Sequence, residues 1–283
     1  MRTPLFSIDQ STGVFPFQAC RFDRRFAYGV YVPARYARER AGDFRILVAV
    51  HGSERAPETA RALCMQLADD TDCIVLAPLF PVAMTDDEEL HNYIFLHYRG
   101  IRYDRILLAM VDEVRERFGL AAHRFWLAGF SGGGQFAHRF MYLHASQLAA
   151  VSVGAPGIVN SLDEACDWFV GVRDVPTLFG QAVDRAGLRG LPVQVVVGGE
   201  DIGTDIVVRP PDALYRDRVN DAGATRVERA RFLHRLLEAA GVDARLDIVP
   251  GAAHEAAQVQ LAVNAFFRRV HMAPSATHCS KSF

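Results

Sequence analysis

Three residue types that can together make a nucleophile stand far apart in this chain: Ser131, Asp201 and His254. Ser131 lies in Gly129-Phe130-Ser131-Gly132-Gly133, a G-x-S-x-G pattern. Such a pattern carries a serine on a sharp turn between a strand and a helix, with its hydroxyl lifted above a sheet. The turn strains the serine backbone, and a side chain at either flanking glycine would collide with the neighbouring strand or helix. The helix that follows aims unpaired N–H groups at the reacting centre. A serine hydroxyl is a weak nucleophile at neutral pH and needs a base to take its proton. His254, in the small-residue turn Pro250-Gly251-Ala252-Ala253-His254, is the candidate base. That base needs a carboxylate to hold its tautomer and stabilise the imidazolium. Asp201, directly after Gly198-Gly199-Glu200, is the first choice, with Glu200 and Asp205 near enough to compete.

An attacked carbonyl also needs preorganised donors for its developing negative charge, each worth ~3–4 kcal/mol to the barrier. Gly132, the residue after the serine, supplies one N–H. Ser53, in His51-Gly52-Ser53, supplies the second, because Gly52 lets the backbone turn inward. His51 is read as a structural residue beneath that loop. Each of these residues has a plain alternative: a serine in a glycine-rich turn, one of ten histidines, a turn aspartate. What separates the readings is where the residues fall along the chain.

The scaffold that would bring them together is legible as alternating elements. Residues 26–33 alternate as a strand, and 44–50 form a run apolar at every position but Arg45, the mark of a strand buried on both faces of a parallel sheet. Residues 57–69 have helical spacing with Pro57 in the first turn, 73–77 form the next strand, and 101–118 form a periodic helix closed by Gly119. Strands are expected at 149–153, 193–197 and 244–249, and helices at 226–240 and 256–270. The pattern predicts an α/β fold with a doubly wound, mostly parallel sheet. In such sheets functional groups collect outside the carboxyl ends of the strands. Ser53, Ser131, Asp201 and His254 all fall there. Residues 1–25 read as an N-terminal arm and 26–271 as a single domain, with a cap insertion at 158–190 and a flexible tail at 272–283.

Composition narrows the function. The 283 residues are 50% apolar with a net charge of −2, which makes no electrostatic case for nucleic acid or an anionic membrane as partner. Five scattered cysteines without C-x-x-C spacing point to neither a disulfide framework nor a zinc site; Cys64 and Cys73 could pair in an oxidising compartment but read better as buried small hydrophobes. No secretory signal is visible and no run is long enough to cross a bilayer, so a cytoplasmic setting is expected. There is no H-E-x-x-H, and neither His91 with His97 nor His138 with His144 has ligand spacing on one helical face, so neither a metal nor a cofactor is expected.

Residues 26–270 closely resemble the α/β-hydrolase superfamily, through His51-Gly52-Ser53, Gly129-Phe130-Ser131-Gly132-Gly133, Gly198-Gly199-Glu200-Asp201 and Pro250-Gly251-Ala252-Ala253-His254. The order Ser131, Asp201, His254 is the order of that superfamily. Within it the chain is similar to polyhydroxybutyrate-depolymerase-like and feruloyl-esterase-like serine esterases. That likeness rests on Tyr28-Gly29-Val30-Tyr31-Val32-Pro33, and on Asp104 opening the helix that runs through Val111-Asp112-Glu113-Val114. Those esterases often carry Asn or Ala where this chain has Gly132. The resemblance implies a serine hydrolase that cleaves a small-molecule carboxylic ester.

The aromatic segments after the third and fifth expected strands are the candidates for the substrate pocket: Tyr93, His97, Trp168 and Phe179. Asp86-Asp87-Glu88-Glu89 reads as a solvated turn or helix start. Two further readings compete with the esterase. A peptidase or amidase would need a site for a free amine or carboxylate, and a non-catalytic receptor on the same scaffold would not need an intact triad. Oligomeric state and substrate identity are not encoded in any of these motifs.

Overall fold

A computed structural model describes residues 11–85 and 90–273. The start of the expected arm, the acidic run Asp86-Asp87-Glu88-Glu89, Cys279 and the tail beyond residue 273 lie outside the described residues. Eleven strands occur among those described: β1 Gly13–Val14, β2 Gln18–Ala19, β3 Ala27–Val32, β4 Arg45–Val50, β5 Cys73–Leu79, β6 His97–Tyr98, β7 Ile101–Arg102, β8 Phe125–Phe130, β9 Leu148–Gly154, β10 Pro192–Gly198 and β11 Asp243–Val249. The helices are α1 Pro57–Thr71, α2 Tyr103–Phe118, α3 Gly132–His144, α4 Val175–Phe179, α5 Arg185–Leu188, α6 Arg226–Ala239 and α7 Ala256–Met272.

Nine strands form one sheet in the order β1-β3-β5-β4-β8-β9-β10-β11, with β2 paired to β3. From β5 to β11 every pairing is parallel; β3 joins β5 antiparallel and β1 continues the antiparallel edge. Two short strands, β1 and β2, lie within residues 11–25. Strand β5 runs two residues past its expected end, through Pro78. Its parallel ladder with β4 stops at Leu76, so Pro78, which has no N–H to give, falls where no parallel partner asks for one.

The inner parallel strands β4, β5, β8, β9 and β10 are buried on both faces, which explains their largely apolar runs, whereas the edge strand β11 is only half-buried and carries Arg245 and Asp247. Along β4, Ile46, Val48 and Val50 pack into the core shared with α2, α3 and α6, while Leu47 and Ala49 face the core shared with α1 and α7. The apolar stripe of α2 (Ile106, Leu107, Met110, Val111, Val114) is buried, and Gly119 ends the helix in the left-handed conformation. Glu113 of that helix, also buried, accepts hydrogen bonds from the Tyr28 hydroxyl at 2.9 Å and the Arg21 N–H at 2.7 Å, which ties the N-terminal arm down. Asp104 at the start of α2 is fully buried between Arg102 (2.7 Å) and His144 of α3 (2.8 Å). Burial alone would raise its carboxyl, but the hydrogen bonds from Arg102 and His144 outweigh that and hold it at about 2. Cys20, Cys64 and Cys73 are buried thiols, and Cys64 and Cys73 are not bonded to each other. Among the described residues, no helix is long and apolar enough to cross a membrane.

The position of the functional groups follows from the strand order. After β4 the chain moves to one side, to β5; after β8 it moves to the other, to β9. The loops leaving β4 and β8 therefore diverge from adjacent strand ends and leave a crevice between them, the usual ligand site of an open α/β sheet.

Candidate functional site

Ser131 stands between β8 and α3 with φ 54° and ψ −115°, a conformation L-residues rarely adopt. Its neighbours leave no alternative. A Cβ on Gly129 would lie 2.2 Å from the Gly133 carbonyl oxygen, and one on Gly133 would lie 2.3 Å from that of Val50. The strand before and the helix after are thus pressed too close for any side chain, and the serine takes the strain. The Ser131 N–H donates to the Gly154 carbonyl at the end of β9 (2.9 Å), which fixes the elbow against the next strand.

His254 reaches back from the turn between β11 and α7. Its Nε2 is 3.1 Å from Ser131 Oγ and its Nδ1 is 2.6 Å from Asp201 Oδ2, while its ring packs on Phe130 at 4.9 Å. Asp201 is 4% exposed just beyond the end of β10, whereas Glu200 and Asp205 are exposed and Asp205 lies toward Arg226, so Asp201 alone of the three touches His254. The carboxylate accepts from Nδ1–H, which leaves the Nε2 lone pair toward the serine hydroxyl.

The loop after β4 comes up against the start of α3. Gly132 is the first residue of α3, so its N–H has no acceptor within the helix. A Cβ on Gly132 would lie 3.1 Å from the Ser53 amide nitrogen, which places the two backbone segments side by side. His51 lies beneath: its Nδ1–H donates to the Gly52 carbonyl (2.7 Å) and its Nε2 accepts the Phe80 N–H (3.1 Å). Burial pushes its imidazole down to about 4, so it is a neutral prop at ordinary pH. Arg55 clasps the same loop, donating to the Ser53 carbonyl at 2.8 Å and lying over the Tyr93 ring at 4.9 Å.

A cleft of about 230 Å³ opens at Ser131 and Ser53. The expected pocket aromatics are not among its lining residues. Tyr93 is fully buried, with its hydroxyl donating to the His51 carbonyl (3.0 Å), so it supports the β4 loop from below. Trp168, Phe179 and His97 pack together: Trp168 and Phe179 meet at 5.0 Å, His97 and Phe179 at 6.0 Å. The Trp168 indole N–H is taken by the Phe95 carbonyl at 2.8 Å, and Arg102 covers Phe179. These rings close their own cluster, which is why they do not reach the cleft.

From residues 158–190 only Ile158 lines the cleft. The larger wall is the irregular stretch 205–214, between β10 and α6. Asn220 pins it, bonding both the N–H and the carbonyl of Val208 (3.1 and 2.8 Å). Arg226 and Arg229 of α6 complete that side. Sequence reasoning missed these residues. The available signals were the length of the loop, unusual for a segment without elements of its own, and the Thr225-x-x-Glu228 capping box that sets the start of α6. On the opposite side Gln135 accepts the Ile158 N–H (3.0 Å), and Arg139 behind it binds Asn160 Oδ1 (2.6 Å) and the Ile94 carbonyl (3.0 Å). Among the described residues no group of three or more His, Cys, Asp or Glu is placed to hold a metal ion.

No protein-family model matches the sequence, and no curated protein matches it. Solved structures do match. A poly(3-hydroxybutyrate) depolymerase from Bordetella parapertussis superposes with a TM-score of 0.69 at 21% identity, over 89% of this chain and 88% of its own. Poly(aspartic acid) hydrolase-1 from Sphingomonas sp. KT-1 superposes at 0.68 and 21% identity, over 85% and 92%. A fluorophosphonate-binding serine hydrolase from Staphylococcus aureus, FphF, superposes at 0.55 and 14% identity, over 87% and 92%. The mostly parallel sheet, its strand order and these neighbours agree: the chain has the α/β-hydrolase fold.

Proposed function

We propose that the protein is a serine hydrolase that cleaves a small carboxylic ester through an acyl-enzyme on Ser131. The observation that carries this reading is the unbroken chain of contacts Ser131 Oγ–His254 Nε2 (3.1 Å) and His254 Nδ1–Asp201 Oδ2 (2.6 Å) at a strained strand end. Ser131 Oγ attacks the ester carbonyl while His254 Nε2 takes its proton, and Asp201 stabilises the imidazolium by accepting from Nδ1. The Ser53 and Gly132 N–H groups receive the oxyanion. As the tetrahedral intermediate collapses, His254 returns the proton to the departing alcohol. Water then attacks the acyl-enzyme with His254 again as base, releasing the acid and restoring Ser131. No cofactor enters the sequence of steps. Names of fold neighbours support ester chemistry in general: a depolymerase of a polyester, a ferulic acid esterase and serine hydrolases.

The test is hydrolysis of 4-nitrophenyl acyl esters of graded chain length by the wild type and Ser131→Ala, beside aminoacyl anilides. Ester turnover that disappears in Ser131→Ala supports the proposal. Turnover of anilides in place of esters would replace it with a peptidase, and failure of a fluorophosphonate to label the folded protein would leave a binding protein.

A further inference from the structure

Two arginines stand at the start of α6 beside the cleft, and they are used differently. Arg229 is fully buried, and each of its three guanidinium nitrogens has an acceptor. It donates from Nε to the Gly223 carbonyl (2.9 Å), from Nη2 to Asn220 Oδ1 (3.1 Å), and from Nη1 to the Gly157 carbonyl. It is a brace for the cleft wall. Arg226, one helical turn earlier and only 12% exposed, has no comparable set. Its Nη1 is 3.5 Å from Asp201 Oδ1 and 3.7 Å from Asp205 Oδ1, and its buried Nε meets no acceptor. A guanidinium held largely out of water without good acceptors is costly, and the cost is recovered when an anion arrives.

The charges around Arg226 limit what that anion is. Asp201 lies on one side, committed to His254 through its other oxygen. Asp205 is 72% exposed and too distant for a good hydrogen bond, so it is a displaceable counterion. Asp212 also lines the cleft. Two carboxylates facing the same space disfavour a dianion such as a phosphate monoester, whereas a single planar carboxylate matches the guanidinium fork. The remaining wall, with Ile94, Ile158, Ile206 and Leu214, suits a short hydrocarbon spacer, and about 230 Å³ leaves room for no more than a small ligand.

We propose that Arg226 binds a free carboxylate on the substrate, so that the enzyme prefers short esters that are themselves monoanions. This rests on the ester-hydrolase reading and specifies its substrate class. In the bound state the carboxylate takes the place of Asp205 at Arg226, while the ester carbonyl lies at Ser131.

The experiment compares two substrates of nearly equal size, 4-nitrophenyl hydrogen glutarate and its neutral methyl ester. The wild type is expected to show kcat/KM at least tenfold higher for the anion. In Arg226→Gln that ratio falls to about one or below. The ratio is the readout because Arg226 also approaches Asp201, and a loss through that contact lowers both rates together. Arg226→Lys should keep part of the preference, and Asp205→Asn should increase it, which a folding defect would not do. A wild type that turns over both esters equally, or a preference that survives in Arg226→Gln, overturns the proposal. Calorimetric titration of monomethyl glutarate into Ser131→Ala, with and without Arg226→Gln, reads the site without catalysis. Binding weakened at least tenfold by Arg226→Gln supports the site even where neither ester is cleaved, which would count against the hydrolase reading alone. No binding to Ser131→Ala overturns the site.

Discussion

Gly132→Ala adds one methyl group at the residue after Ser131, and its cost is set by what that methyl meets. An ideal Cβ there lies 2.4 Å from the Tyr93 hydroxyl oxygen and 2.8 Å from Ser53 Oγ. Real Cβ atoms essentially never approach nearer than 3.0 Å, so Gly132 and Tyr93 must part by at least about 0.6 Å. Ser53 Oγ escapes by changing rotamer. Tyr93 has no such freedom, because it is fully buried, stacked on Phe80 at 5.5 Å, and bonded to the His51 carbonyl at 3.0 Å. The displacement therefore falls on the backbone of 51–53 or of Gly132, the two segments proposed to hold the oxyanion. Losing one such donor costs ~3–4 kcal/mol, or about 10²–10³ in kcat. The expected outcome is that fall in kcat for 4-nitrophenyl butyrate, with a smaller change in KM and an unchanged circular dichroism spectrum. Tyr93→Phe removes the obstructing oxygen and should recover part of the loss in the double variant, for about 1 kcal/mol of stability given up with its hydrogen bond. Similar esterases often carry alanine at this position, so the effect depends on Tyr93 in this chain. Wild-type kcat in Gly132→Ala, or a loss that Tyr93→Phe leaves unrelieved, would mean that the Tyr93 hydroxyl does not set the position of the Gly132 backbone.

Other consequences follow from the same geometry. Asp201→Asn should lower kcat by about 10⁴, because an amide cannot hold the imidazole in its working tautomer, while Glu200→Gln should change kcat less than twofold; equal losses in the two would reassign the acid. His51 ties stability to pH: its folded value of about 4 lies below the unfolded value near 6.5, so the unfolded chain binds the proton first. Its contribution is complete above about 6.5 and is lost as the pH falls toward 4, amounting to ~2 kcal/mol between pH 7 and 5. Urea titrations at those two pH values should show the wild type losing ~2 kcal/mol more than His51→Gln, and parallel losses would remove His51 as the cause. Asp104→Asn strips the buried carboxylate from Arg102 and His144 and should cost ~3–5 kcal/mol in urea, with fluorophosphonate labelling per folded molecule unchanged; a neutral result would mean that the charges are better solvated than their burial implies.

The parts of the fold and site that were legible share a physical cause. Short, mostly apolar runs such as 44–50 and 193–197, interrupted only by Arg45 and Gln194 and bounded by glycines or turns, suit strands covered on both faces, so the alternation of elements and the parallel sheet followed. Ser131, Asp201 and His254 were readable because each lies within a few residues of a strand's carboxyl end among small residues, and Gly129 and Gly133 are required by close backbone contacts. The cleft wall was not readable in the same way. Stretch 205–214 is held by Asn220, which bonds the Val208 backbone and is itself held by Arg229, and such single side-chain bonds to irregular backbone leave no period in a sequence. Aromatic content misled for the same reason: Trp168 and Phe179 look like pocket walls by composition, yet their partners are Phe95, His97 and Arg102. Arg226 and Arg229 are spaced to share a face, but only their hydrogen bonds distinguish a brace from a binding group.

Acylation of Ser131 is read most directly by rapid-quench mass spectrometry of the protein mixed with a 4-nitrophenyl ester. One acyl group per chain is expected, located on the peptide that contains Ser131, formed in a burst and then discharged. No such adduct should form in Ser131→Ala. Turnover that persists in Ser131→Ala, or an acyl group on any other residue, would contradict Ser131 as the nucleophile.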